Sequence, residues 1–294
     1  MKPTILILAL AGLAAAQQNP PLRIPDTVEV QKDIVYARYG AREMRLDLYL
    51  PKAPAARPRP AVVYVHGGGW RGGNKQAFSR QAAHMAAAAG YVGACIEYRL
   101  SGEARWPAAI HDSKAAVRWV RANAAKYLID PNRIGAAGGS AGGHLAALLG
   151  TTSQKEFEGD GGNPGVSSHV AAVAAFNPAV DLASFGPQVG GNANNSVAQF
   201  LGASYTANPD LWKFASPITH VAKKSAKFLF LHGDADATVP FAQSKRMLDL
   251  LTAKGVKAEL FTAPGAAHGF FNSPPWFEPT LKKMQEFFLE TLDR

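Results

Sequence analysis

Gly138-Gly139-Ser140-Ala141-Gly142 is the stretch that decides how this chain folds, because it fits the pattern Gly-x-Ser-x-Gly. The pattern has a mechanical reason: where a strand turns sharply into a helix around a serine, the flanking positions leave little room for side chains. Such a turn exposes the serine hydroxyl, so Ser140 is a candidate nucleophile. A nucleophilic serine in turn requires a base, an acid and hydrogen-bond donors for an oxyanion.

The residues on either side of this motif favour a strand followed by a helix. Upstream, the mostly apolar run 133–137 follows a turn at Asp130-Pro131-Asn132 and predicts a buried strand. Downstream, residues 144–149 include strong helix formers and are followed by Gly150. The alternative is a glycine-rich turn with an ordinary serine, because a short pattern also arises by chance in a chain with 28 glycines.

The composition indicates one large globular domain. The chain has 294 residues, 47% hydrophobic and 18% charged, which is enough for a substantial core. The net charge of +9 can indicate an anionic partner, but Lys and Arg are scattered and no basic run is interleaved with aromatic residues. Nucleic-acid binding is therefore not predicted. Cys95 is the only cysteine, so no intramolecular disulfide can form, and the sequence leaves the oligomeric state open.

Residues 1–16 have the features of a secretory signal peptide. Lys2 provides a positive start, residues 5–16 are apolar, and Ala14-Ala15-Ala16 offers a cleavage site before Gln17. The apolar run is shorter than the ~20 residues of a membrane-spanning helix, and no later segment qualifies. We therefore expect a secreted or periplasmic protein with a single domain at residues 17–294; an uncleaved membrane anchor is the alternative.

Strands alternate with helices along the rest of the chain. Residues 44–50 are apolar at every second position, as in a half-exposed strand, whereas 61–65 is apolar throughout, as in a strand buried on both faces. The other predicted strands are 91–98, 133–137, 170–176, 228–231 and 258–262, and the main predicted helices are 76–89, 107–127, 144–149, 241–253 and 277–289. This alternation predicts an α/β fold with a mostly parallel sheet flanked by helices.

One long segment, residues 181–221, interrupts the alternation. It combines loops rich in Gly and Asn with short helical stretches, and it separates two predicted strands. An insertion of this kind commonly forms a lid over a site, so a small lid is predicted here. The alternative is a surface excursion that does not contact substrate.

A second glycine motif directly follows the buried strand 61–65. His66-Gly67-Gly68-Gly69-Trp70 matches the HGGG-type loop that contributes an oxyanion-hole N–H, where glycine lets the backbone approach the substrate oxygen. The predicted donors are the N–H of Gly68 or Gly69 together with that of Ala141. His66 is expected to orient the loop, and a plain glycine-rich loop is the alternative.

The remaining catalytic groups follow later strands. Asp236 comes after the strand 228–231 and His268 after the strand 258–262, in loops where doubly wound sheets bind their ligands. His268 is the predicted base for Ser140, and Asp236 is the predicted acid that orients the imidazole. Asp234 is the competing acid. The other histidines lack this context, and no cluster of His, Cys and carboxylates has convincing metal spacing, so no metal site is predicted.

Together these residues resemble the α/β-hydrolase esterases of the hormone-sensitive-lipase group, and in particular the bacterial acetyl and feruloyl esterases that act on plant polysaccharides. The matching stretches are 66–70, 98–100, 107–119, 138–147, 158–165 and 232–244. Asn177-Pro178 is a departure, since such relatives often have Gly-Pro there. The resemblance implies an eight-stranded sheet and a secreted serine carboxylesterase that forms an acyl-enzyme without a cofactor, on a small or polysaccharide-linked ester.

The same resemblance makes the aromatic residues near the motifs candidates for the walls of the substrate pocket. These are Trp70, Trp212, Phe270 and Trp276, each of which could equally belong to the core. An alternative function remains: the stretch 232–240 also resembles prolyl-oligopeptidase-like serine peptidases, although these usually carry a large extra domain. A non-catalytic binding module is a third possibility, which the complete set of catalytic residue types argues against.

Overall fold

Eight strands form one sheet in the computed structural model, which describes residues 23–293. The predicted signal peptide, residues 1–16, therefore lies outside the described residues. The strands are β1 (Val28–Tyr39), β2 (Arg42–Pro51), β3 (Arg59–Val65), β4 (Val92–Ile96), β5 (Ile129–Gly139), β6 (Ala172–Phe176), β7 (Lys227–Gly233) and β8 (Ala258–Ala263). Their order across the sheet is β1-β2-β4-β3-β5-β6-β7-β8. Only the β1–β2 and β2–β4 pairs are antiparallel, which agrees with the predicted mostly parallel sheet.

Helices cover both faces of this sheet. The longer ones are α1 (Ser79–Ala89), α2 (Ala108–Ala122), α3 (Ala141–Thr151), α8 (Ala242–Ala253) and α9 (Phe277–Leu292). The short ones are α4 (Lys155–Glu158), α5 (Gly186–Val189), α6 (Ser196–Leu201) and α7 (Pro209–Phe214), together with 3₁₀ turns at Lys75–Phe78, Leu182–Phe185, Pro217–His220 and Phe270–Asn272. Apolar side chains of α1 and α9 pack in one core layer, and those of α2, α3 and α8 pack in the other. The sheet is thus buried on both faces, as its continuous apolar strands require.

The fold contains one strand that the sequence did not predict, and it corrects two expectations. Strand β1 was not predicted; its pairing with β2 shifts register between Gln31 and Ile34, and this irregularity breaks the alternation that marks a strand. Strand β2 is not half-exposed, because residues 46–49 are all buried and Asp47 lies 3.4 Å from the Lys75 ammonium. Helix α2 ends at Ala122 rather than continuing to residue 127.

The predicted lid, residues 181–221, forms the connection between β6 and β7. It consists of the short helices α5, α6 and α7 and the two flanking 3₁₀ turns. Phe200 and Trp212 from this segment are buried in the same core layer as α2 and α3. The lid is therefore packed onto the domain through these two buried aromatic side chains, whereas Phe214 of the same segment is exposed.

The loop that follows α3 is held by a buried ionic network around Glu158. The Glu158 carboxylate accepts hydrogen bonds from the Lys114 ammonium at 2.8 Å and from the Arg118 guanidinium at 3.1 Å. Ser168 donates a third at 2.8 Å. Burial opposes ionisation of this carboxylate, but the charge and hydrogen bond of Lys114 outweigh it and lower the Glu158 pKa. Lys114 itself is 1% exposed, so its charge depends on this partner.

We expect Glu158→Gln to lower the free energy of unfolding by about 2–3 kcal/mol, because it leaves the buried Lys114 ammonium without a counter-ion. The Glu158 side chain is 30% exposed, which moderates the loss. Thermal and urea denaturation measure the change. A carboxylate with a lowered pKa stabilises the fold at pH values above its unfolded pKa, and this contribution is lost on acidification. The difference in free energy of unfolding between the wild-type protein and Glu158→Gln should therefore disappear at low pH. Glu156→Gln, an exposed carboxylate on the same short helix, is the control; equal stability of both variants would contradict the prediction.

Within residues 23–293, no helix is both long enough and apolar enough to cross a membrane.

Candidate active site

Ser140 stands on a strained turn at the carboxyl end of β5, directly before α3; this turn, residues 138–142, is called the elbow, and α3 the elbow helix. Its φ and ψ are 55° and −119°, a combination that costs free energy in a residue with a side chain. The flanking glycines are required sterically. A Cβ at Gly138 would lie 2.3 Å from the Gly142 carbonyl oxygen, and one at Gly142 would lie 2.1 Å from the Val65 carbonyl oxygen. The structure thus has the strand–turn–helix geometry that the glycine pattern predicts.

The structure brings the three predicted catalytic side chains into one hydrogen-bonded chain. The Ser140 hydroxyl oxygen lies 3.0 Å from Nε2 of His268, and Nδ1 of His268 lies 2.7 Å from a carboxylate oxygen of Asp236. The competing acid Asp234 is exposed, and its carboxylate accepts from the Gly265 N–H at 2.6 Å instead. These contacts allow His268 to accept the serine proton while Asp236 holds the imidazole in the required tautomer.

Asp236 is buried and strongly held as a carboxylate. One of its oxygens accepts the backbone N–H groups of Thr238 and Val239, at 2.8 and 2.9 Å. The other faces His268 and lies 3.3 Å from Nε2 of the fully buried His232. Burial alone would raise the Asp236 pKa, but hydrogen bonds from His232, His268 and Val239 lower it to well below the usual range. Asp236 is therefore ionised at neutral pH.

Sequence reasoning missed the part that His232 plays. Its Nδ1 lies 2.7 Å from the Ser244 hydroxyl, and its Nε2 lies 3.0 Å from the Val239 carbonyl oxygen. The carbonyl can only accept, so Nε2 carries the proton and Nδ1 accepts from Ser244. This arrangement orients the Nε2–H toward Asp236 as well. The only signal in the sequence for this role is the position of His232 at the end of a strand, with Ser244 twelve residues later on a helix.

The glycine loop 67–69 lies beside Ser140 and lines the same cavity. A Cβ at Gly67 would lie 2.8 Å from the Gly139 carbonyl oxygen, so this loop packs directly against the elbow. Gly68 has φ 112° and a Cβ there would lie 2.3 Å from the Gly72 carbonyl oxygen. Among residues 23–293, neither the N–H of Gly68 nor that of Gly69 donates a backbone hydrogen bond. Both remain available, with the N–H of Ala141 at the start of α3, as oxyanion donors.

His66 holds this loop in place. Its ring stacks on Tyr98 at a centroid distance of 4.2 Å, and its Nδ1 lies 2.8 Å from the Gly67 carbonyl oxygen. The Tyr98 hydroxyl donates to the His66 carbonyl at 3.1 Å. Burial lowers the His66 pKa, so the ring stays neutral at neutral pH and orients the loop as expected from the sequence.

Ser140 and His268 line a cavity of about 720 Å³. Trp70 lines it, as predicted, and is held by stacking on Phe200 and by donating from Nε1 to His144 at 3.3 Å. Trp212 and Phe270 do not line it, and their prediction as pocket walls is wrong. Trp212 is fully buried in the lid and donates to the Ala203 carbonyl at 3.0 Å, while Phe270 packs in the core layer of α1 and α9.

Other side chains form the remaining walls of this cavity. Phe271, the neighbour of Phe270, contributes one wall, and Phe185, Asn195 and Ser196 from the lid contribute another. The segment 181–221 therefore contacts the site, which argues against a surface excursion remote from substrate. His144 ties the lid to the elbow helix, because its Nε2 lies 2.8 Å from the Ala215 carbonyl oxygen; burial lowers its pKa to about 4.

Asn177, the departure from relatives noted in the sequence, lies against the predicted base. Its side-chain nitrogen is 3.2 and 3.3 Å from the two ring nitrogens of His268, and the side chain is fully buried. The amide nitrogen therefore packs against the imidazole, nearly equidistant from its two nitrogens. Asn177 has φ 34°, a region in which asparagine is enriched among residues with side chains. The amide thus restrains rotation of the imidazole.

We expect Asn177→Gly to lower kcat about tenfold with little change in KM, because the catalytic imidazole loses a packing partner that fixes its orientation. Glycine tolerates the positive φ, so the backbone should be unaffected. Steady-state kinetics on a small ester and thermal denaturation measure the two effects. A kcat equal to that of the wild-type enzyme would contradict the assigned positioning role. A loss of thermal stability large enough to leave much of the protein unfolded in the assay would contradict it as well.

No group of three or more His, Cys, Asp or Glu within residues 23–293 is arranged to hold a metal ion.

The sequence and the fold are also similar to those of known proteins. The sequence model of the BD-FAE family matches residues 46–251, more than half of the chain. Esterase LipC of Mycobacterium tuberculosis is 31% identical over 76% of this chain and 56% of its own length. The chain thus spans about half the length of the curated relatives that it matches first.

Two solved structures match over nearly their whole length. A truncated carbohydrate esterase from gut microbiota is 32% identical, with a TM-score of 0.78, over 92% of this chain and 98% of that one. Esterase 2 of the planctomycete Thermogutta terrifontis, with propionate bound, is 31% identical, with a TM-score of 0.76, over 92% and 96%.

Proposed function

The chain belongs to the BD-FAE family of hormone-sensitive-lipase-like α/β-hydrolases, and from this premise we propose that it is a serine carboxylesterase. The observation that carries the proposal is the hydrogen-bonded chain from Ser140 through His268 to Asp236, which opens into a cavity beside the 67–69 loop. Its substrates are acetyl or feruloyl esters, carried by a small alcohol or by a plant polysaccharide.

The proposed reaction proceeds in two halves. Ser140 Oγ attacks the ester carbonyl carbon while His268 Nε2 takes the hydroxyl proton, and the carbonyl oxygen becomes an oxyanion that the N–H groups of Ala141 and of Gly68 or Gly69 stabilise. The tetrahedral intermediate collapses, the C–O bond to the alcohol breaks, and His268 returns the proton to the leaving alcohol. Water then attacks the acyl-enzyme by the same steps, which releases the acid and regenerates Ser140.

The size and lining of the cavity support small or flat acyl groups. About 720 Å³ is bounded by aromatic side chains, namely Trp70, Phe185 and Phe271, which suit an acetyl methyl group or a hydroxycinnamoyl ring. A carbohydrate esterase and an esterase with bound propionate are among the similar structures, and propionate is a short acyl group. We further propose that residues 1–16 are removed on export, so that the mature secreted or periplasmic enzyme begins at Gln17.

A substrate panel tests the proposal. Purified protein is assayed with p-nitrophenyl esters from acetate upward, acetylated xylan, methyl ferulate and a chromogenic prolyl peptide. We expect fast hydrolysis of the short-chain esters and no peptide cleavage. Peptide cleavage without ester hydrolysis would replace the esterase with a prolyl-oligopeptidase-like peptidase. N-terminal sequencing of protein recovered outside the cytoplasm tests export, and a sequence that starts at Met1 would contradict it.

A further inference from the structure

A second cavity, of about 900 Å³, lies next to the proposed catalytic cavity and is lined mainly by polar side chains. Both cavities use the same two stretches of chain as walls. Gly68, Gly69 and Trp70 face the catalytic cavity and Arg71 faces the second one; Asn195 and Ser196 of the lid face the first, and Ala193 and Asn194 face the second. The stretches 68–71 and 193–196 thus form a shared edge between the two cavities. A substrate that extends over this shared edge from the catalytic cavity enters the second cavity, which we name the arginine groove.

The arginine groove has an excess of positive charge. Within residues 23–293, the guanidinium groups of Arg71 and Arg105 form neither an ion pair nor a side-chain hydrogen bond, and both residues are exposed. Glu103 also lines the groove, but Arg42 binds its carboxylate at 2.8 Å and compensates its charge. Two guanidinium groups without partners are therefore available to an anionic ligand.

The other side chains of the groove suit a sugar. Ser101, Asn194, Gln199 and Ser204 provide hydroxyl and amide groups that match the hydroxyls of a glycan. Guanidinium groups bind carboxylates and phosphates in a two-point geometry, and a carboxylate is the anionic group that a uronic acid sugar carries.

We propose that the arginine groove binds a sugar carboxylate, that is, a uronic acid residue on the polysaccharide that carries the ester. The proposal rests on the proposed esterase function and specifies its substrate: an acylated glycan with uronate side groups close to the ester. Arg71 and Arg105 bind the carboxylate, and the ester enters the catalytic cavity beyond the shared edge.

The test compares one polymer with and without its charge. Acetylated glucuronoxylan is assayed beside the same polymer after its uronate carboxyl groups are reduced to alcohols. We expect the wild-type enzyme to show a KM about tenfold lower on the charged polymer, and the variant Arg71→Gln/Arg105→Gln to lose this preference. Because the protein carries a net charge of +9, a control with the same charge change is needed. The variant Lys223→Gln/Lys224→Gln is this control. Both lysines are exposed and precede β7, so they lie at the amino-terminal ends of the parallel strands, whereas the groove lies at the carboxyl ends.

The outcomes separate this proposal from the proposed function. Hydrolysis of p-nitrophenyl acetate, which lacks a sugar, reports on the esterase alone, and its absence in the wild-type enzyme would refute the function. Equal KM values of the wild-type enzyme on the charged and the reduced polymer would overturn the uronate site while leaving the esterase intact. An equal loss of preference in the lysine variant would also overturn it, because attraction by the overall charge would then explain the effect. Arg105→Gln alone, away from the glycine loop, should lose part of the preference.

Discussion

Ser140→Ala should abolish ester hydrolysis, with a decrease in kcat of about 10⁴–10⁶-fold, while the protein remains folded. The hydroxyl that His268 activates at 3.0 Å is removed, but the Cβ and the strained backbone of the elbow are kept. What remains is the effect of the oxyanion donors and of substrate positioning. Steady-state kinetics on p-nitrophenyl acetate measure the loss, and thermal denaturation tests the fold.

Covalent labelling tests the assignment of Ser140 as the nucleophile without relying on turnover of an ester. An organophosphate ester should phosphorylate the wild-type enzyme once, on the peptide that contains Ser140, and should not label Ser140→Ala. Ser153→Ala, an exposed serine beyond the end of α3, should keep both activity and label. Residual activity above 1% in Ser140→Ala, or a label on another serine, would contradict the assignment of the nucleophile.

The catalytic chain was predictable because each of its members lies at, or in the loop after, the carboxyl end of a strand. Gly-rich loops after β3 and β5 and polar loops after β7 and β8 meet at the carboxyl edge of a parallel sheet. Local motifs therefore sufficed to predict that Ser140, His268 and Asp236 lie together. The order of the strands was not needed for this step.

The supporting residues depend on strand order, and local patterns did not reveal them. Asn177 reaches His268 because β6 lies directly between β5 and β7, a neighbour relation that only the sheet register provides. His232 contacts Asp236 because the loop after β7 folds back on its own strand. Trp212 was misassigned since an aromatic residue in a short helix fits a pocket wall and a core equally well. In the structure its indole N–H has a backbone acceptor within the lid, which allows full burial.

Asp236→Asn should reduce kcat by roughly 10⁴-fold with a small effect on KM, although the side chain keeps its size. The amide oxygen can accept the N–H groups of Thr238 and Val239, which places the amide NH₂ opposite Nδ1 of His268. Two donors cannot face each other, so His268 would carry its proton on Nε2 and could not accept the Ser140 proton.

Asp234→Asn is the matched control for this prediction, since Asp234 was the competing acid. Its exposed carboxylate bonds only the Gly265 N–H among the described residues, and an amide oxygen can replace it there, so near wild-type kinetics are expected. A larger loss in Asp234→Asn than in Asp236→Asn would transfer the role of the acid. Comparable losses in both would indicate that the 234–236 turn acts through its shape, because a tautomer effect requires direct contact with the imidazole.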